Sequence, residues 1–259
     1  MPGSATTLAH LLGGILQLVV SVVVLILAVK LAKAGLARSY WPLVIWLTLE
    51  ATEGILLFIF SKLDLPIYQI GQGLKLAVAT VVLWRLCGLV FAHYPAIGSF
   101  AARAVRIVIP VCVGLGLLSY LTEPETPLGR NPHLQLVVAV ERAVTTAVLG
   151  FLVALGFFAG WFPLRMKRNI GRVLIGLMVL YGAVWIRLLL ANVEKATTEW
   201  ANLASAIVSL CVATYWLAMW GTEGEAESAP GPAWDRARLE RMTSQLDEMQ
   251  AQLVRRGYE

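Results

Sequence analysis

Residues 8–31 read LAHLLGGILQLVVSVVVLILAVKL, and no Asp, Glu, Lys or Arg occurs before Lys30. A helix rises 1.5 Å per residue, so about 20 apolar residues cross the hydrocarbon core of a bilayer. This run is long enough to do so. It has no basic leader segment before it and its apolar part is too long for a secretory signal, so it reads as a retained first span.

Six further runs share its character: about Trp41–Phe60, Ile67–Phe91, Val105–Tyr120, Leu134–Phe158, Ile170–Ala191 and Trp200–Trp220. The fourth is the weakest, because it is short and Pro110 interrupts it. A proline is tolerated in a membrane helix when neighbouring groups satisfy the freed carbonyl, so a kink is expected there and not a break. Turn chemistry separates the runs: Ala34-Gly35, Asp64-Leu65-Pro66, Tyr94-Pro95, the polar stretch EPETPLGRNP at 123–132, and Pro163.

Composition agrees. The chain has 259 residues, of which 58% are hydrophobic and 14% charged, and its mean hydropathy is +0.73. That leaves too little polar surface to cover a water-exposed shell of ordinary composition. The fold class expected is an all-α integral membrane protein, a bundle of seven transmembrane helices over residues 1–221, partnered first of all by the lipid bilayer. The net charge of +5 is not a nucleic-acid footprint, because basic residues gather at cytoplasmic helix ends. On one side lie Lys30, Lys33, Arg38, Arg103, Arg106, Arg165, Lys167, Arg168 and Arg172; on the other, only Lys62, Arg130 and Lys195. This bias puts the first set inside, the N-terminus out and the C-terminus in. The expected location is a cytoplasmic membrane, inner or plasma, since helical bundles populate these and β-barrels the bacterial outer membrane.

The character changes after Trp220. Residues 222–233 are acidic, small and Pro/Gly-bearing, the composition of a flexible linker. Residues 234–256 then form an amphipathic helix, in which Leu239, Met242, Leu246, Met249 and Leu253 recur at gaps of three and four. That heptad seam predicts a short cytosolic coiled coil and a homo-oligomer, or else a helix that lies on the membrane or docks on a cytosolic protein.

Charges at membrane depth are the most informative residues, because each costs roughly 2.5–3.5 kcal/mol on insertion scales. Glu50, Glu53, Lys75, Glu141, Arg142 and Arg187 fall there. Arg85 does too, but lies close enough to the inner interface to reach it. The first six come from four spans, sit mostly in the outer half, and balance three acids against three bases. A buried cluster requires such neutralisation. They are expected to face one another in a polar pocket opening outward, either a ligand, ion or proton site or a set of structural ion pairs. Asn202, Ser205 and Ser209 form a milder stripe on the seventh span, of the kind that serves helix contact.

No HExxH, P-loop or GxSxG occurs, and no Cys/His spacing suits a metal. Cys87, Cys112 and Cys211 lie in apolar runs and read as reduced packing residues. The seventh span has no lysine for a retinal Schiff base. No cofactor is implied. Two functions remain: a non-enzymatic sensor, signalling or scaffold protein with an outer pocket and a cytosolic tail, or a transporter or channel whose pathway is the charged cluster. An intramembrane enzyme using Glu50 and Glu53 is the less favoured third.

Overall fold

The structure is a computed structural model that describes residues 3–60, 64–122, 132–162, 164, 166–190, 195–226 and 236–257. Its helices are α1 (Gly3–Lys33), α2 (Trp41–Ile59), α3 (Asp64–Val90), α4 (Pro95–Thr122), α5 (Pro132–Trp161), α6 (Arg168–Leu190), α7 (Lys195–Met219) and α8 (Arg236–Arg255). Short 3₁₀ turns at Leu36–Arg38 and Thr222–Glu225 join them. The first seven helices are long and apolar enough to cross a membrane, and the chain is a multi-pass membrane protein on that ground. The polar loop at 123–131 lies outside the described residues.

Six of the helices close a ring. Each packs on the next in the order α1, α2, α3, α5, α6, α7, and α7 returns to α1. α4 stands outside this ring against α3 and α5. The fourth span is longer than its sequence suggests and runs through Pro110 without a break. Pro95 starts it, where a missing N–H costs nothing. Arg103 and Arg106 therefore belong to its first turns and not to a loop, and Arg106 lies over the Trp84 ring at 5.9 Å. Large apolar side chains such as Ile26, Ile107, Leu115, Ile175 and Ile186 are exposed, as a lipid-facing surface requires.

The end of the bundle that carries α8 is stitched by polar contacts. Helix C-termini leave carbonyls without partners, and cations near them are stabilising. Lys30 donates to the Leu217 carbonyl at 2.6 Å, and Arg172 donates to that of Met219. Arg85 reaches the carbonyl of Ser39 at 3.3 Å, which takes its charge away from the middle of the span. The start of the expected linker is not free chain. Glu225, in the 3₁₀ turn, accepts hydrogen bonds from Tyr40 (3.0 Å), Asn169 (2.7 Å) and Lys167 (3.0 Å). It thereby ties the chain after α7 to the entrances of α2 and α6. Residues 227–233, the rest of that linker, lie outside the described residues, as do Trp234 and Asp235 at the start of the expected helix.

The tail helix has a different partner from the one its heptads suggest. α8 packs against α4 of its own chain. Leu246 is fully buried and Met242 nearly so, while Met249 and Leu253 are half-buried against the same core. The side chain of Leu239 is outside the described residues. Gln250 accepts from the backbone N–H groups of Ala96 (3.0 Å) and Ile97 (3.3 Å), two donors that the first turn of α4 cannot satisfy itself. So the seam read as a coiled coil faces the bundle. The reason is physical: two and a half heptads are marginal as a free helix, whereas the bundle end offers both an apolar surface and unpaired donors on a short tether.

Two outcomes are expected. Leu246→Asp should undock α8, through loss of a buried leucine and burial of a charge, at a cost of about 2–4 kcal/mol. Hydrogen exchange should then rise in residues 236–255 with the mass in detergent unchanged; a fall in mass would instead restore the coiled coil. The second concerns pH. Burial alone would raise the Glu225 carboxyl, but the hydrogen bonds from Asn169, Lys167 and Tyr40 outweigh it and hold the group below its ordinary range. A depressed carboxylate stabilises the fold above its unfolded value, near 4.5, and loses that contribution as pH falls through its lower folded value. Acidification should therefore loosen the 221–226 segment in hydrogen exchange, and Glu225→Gln should remove that dependence. Equal acid sensitivity in the variant would rule Glu225 out as its source.

Candidate functional site

The ring of six helices encloses a cavity of about 830 Å³. Its charged lining comes from four helices: Glu50 and Glu53 from α2, Lys75 from α3, Glu141 from α5 and Arg187 from α6. Glu50 and Glu53 share a helix face because three residues is nearly one turn. Lys75 Nζ lies between them, 3.0 Å from Glu50 Oε2, to which it donates, and 2.8 Å from Glu53 Oε2. Arg187 donates to Glu141 Oε1 at 2.8 Å, and the Tyr68 hydroxyl donates to the other oxygen of that carboxylate, also at 2.8 Å. Each carboxylate thus has a cation in reach, which burial requires.

The close fit depends on one glycine. A Cβ at Gly71 on α3 would stand 2.6 Å from the Glu53 carboxylate. The bare backbone lets that carboxylate lie against α3 one turn from Lys75. Glu53 and Glu141 are both almost wholly buried.

The structure brings together five of the six charges expected to cluster. Arg142 is the exception. It is half-buried, has interactions of its own and does not line the cavity. A helix turns by about 100° per residue, so Glu141 and its neighbour cannot both face inward. The consequence is electrostatic. Among the described residues, the expected balance of three acids and three bases becomes three carboxylates against two cations.

Other residues of the site are less visible in the sequence. Gln72 follows Tyr68 by one turn and faces the cavity with them. Trp46 and Tyr181 also line it, with ring centroids 6.4 Å apart. Asn202, Ser205 and Ser209, read as a packing stripe, line it as well. The floor is Trp216, which lies over Gly176, donates its indole N–H to the Arg172 carbonyl at 3.0 Å and meets the Trp220 ring. Beyond it Leu27, Leu31 and Trp220 are closely packed core. Among the described residues no group of three or more His, Cys, Asp or Glu is placed to hold a metal ion.

Comparison with known proteins adds no relative: no protein-family model matches the chain, and no curated protein or solved structure shows significant similarity to it. The fold and the cavity are therefore the basis for reading its function.

Lys75 serves two carboxylates, so its removal should be the most damaging single change in the site. Lys75→Met should destabilise the protein by about 3–5 kcal/mol, the cost of leaving buried carboxylates unpaired. Adding Glu53→Gln should recover part of it, and thermal unfolding in detergent measures the coupling. Strictly additive effects would mean that the two side chains do not interact.

Proposed function

We propose that this protein is a membrane sensor or signalling component that binds a small solute in the cavity and reads it out through the docked tail helix. The observation that carries this reading is that the cavity ends at Trp216. A pathway through the bundle would need polar lining at both ends, and here the lining stops at a floor of packed indole and leucine. A pocket closed at its inner end suits binding. The cavity also has the size and mixed lining of small-molecule sites.

The floor is connected to the tail end. Trp216 holds the Arg172 carbonyl, Arg172 bonds Asn169 and the end of α7, and Asn169 bonds Glu225. A ligand that moves α6 against α7 acts on this set of hydrogen bonds directly. The tail end carries Lys30, Lys33, Arg38, Arg103, Arg106, Lys167, Arg168 and Arg172. By the basic-residue bias that end faces the cytoplasm, and the cavity then serves the outer side of an inner or plasma membrane. The rival reading is a transporter, in which the Trp216 floor opens during a cycle.

Spin labels separate the two readings. With the native cysteines replaced, labels at Ala92→Cys and Ala251→Cys report the distance from the entrance of α4 to α8. In the sensor reading, Arg187→Gln in the cavity broadens or shifts this distribution. A distribution indifferent to the cavity variant would sink the coupling and leave transport the better reading.

A further inference from the structure

The cavity's charge count has a chemical consequence. We infer that it takes an organic monocation, an ammonium group carried on an apolar body. This rests on the cavity being a ligand pocket, and four observations fix the class of ligand.

The first is the unbalanced charge. Glu141 has Arg187 to itself, with Tyr68 on its second oxygen. Glu50 and Glu53 must divide Lys75 between them. Among the described residues of the lining, three carboxylates and two cations leave one negative charge over, in surroundings that do not tolerate it unpaired.

The second is where the excess lies. The Glu53 side chain is 8% exposed and that of Glu50 is 23% exposed, so Glu50 is the carboxylate an incoming group can reach. Trp46 precedes it by one turn on the same helix face, and Tyr181 stands against Trp46 across the cavity wall. A carboxylate with aromatic side chains beside it suits an ammonium group, through Coulomb attraction and, where a ring face is presented, the ring quadrupole.

The third is Gln72. It is 9% exposed and it faces the cavity. It supplies a polar contact that the carboxylates do not.

The fourth is size. A water molecule takes about 30 Å³ of liquid volume. The cavity, at about 830 Å³, is far too large for a bare inorganic cation, and much of its wall is Leu57, Phe58, Leu180, Val184 and Leu203. The ligand therefore has an apolar body.

The test uses purified full-length protein and three probes of similar shape: benzyltrimethylammonium, its neutral carbon isostere neopentylbenzene, and benzoate. Tetramethylammonium and tetraethylammonium complete the cationic series. A cation of this series should raise the unfolding midpoint in a dose-dependent way, and the neutral and anionic probes at equal concentration should not. Glu50→Gln keeps the Lys75–Glu53 pair and so should fold; it should weaken cation binding by about tenfold or more. Trp46→Leu should weaken it as well, with the charge intact. The inference is overturned if no cation of the series binds, as when a proton neutralises the third carboxylate, or if Glu50→Gln binds as tightly as the parent. Binding of benzoate alone would overturn the cation while keeping the ligand pocket. Binding of a cation with no change in the tail distance would keep the inference and overturn the sensor reading.

Discussion

A carboxylate cannot face hydrocarbon, and this chain places three of them inside its membrane-spanning part. The arrangement of the bundle answers that constraint. Glu50, Glu53 and Glu141 turn into a ring of helices where Lys75, Arg187 and Tyr68 meet them. Those contacts cross from α2 to α3 and from α5 to α6 and α3, so the ion pairs also set which helices are neighbours. α4, which contributes nothing to the cavity, is free to stand outside. The same constraint explains the bare backbone at Gly71, since a side chain there would push the Glu53 carboxylate off its seat.

Polar groups organise the other end of the molecule in a different way. There basic side chains donate to helix-terminal carbonyls, as Lys30 does to Leu217 and Arg172 to Met219. Glu225 and Gln250 complete the pattern from the C-terminal segment, one accepting from three side chains and the other from the first turn of α4. The two polar regions are separated by Trp216 and the packed layer beyond it. A hydrogen-bonded connection through Arg172 and Asn169 nevertheless links floor to tail. Such a connection is a physical route between the pocket floor and the C-terminal segment.

The sequence by itself determined the number of spans, because apolar length against bilayer thickness is a local property. It also brought out the charges that cluster, because an acid or base in an apolar run is conspicuous wherever it folds. It could not tell Arg142 from Glu141. Both sit at the same depth, and only the rotation of α5 about its axis, set by packing, decides that one lines the cavity and the other does not. The excess of one carboxylate follows from that rotation. Trp46 and Tyr181 were invisible as site residues, and Ser205 read as a packing residue, for the same reason: aromatic and small polar residues are common in membrane helices, and composition does not say which face is inward. The tail shows the limit most plainly. A period of three and four residues determined that α8 has one apolar face. Only the tertiary structure decided what covers it, because the apolar surface and the unpaired N–H groups of Ala96 and Ile97 exist only once α4 is packed in the bundle.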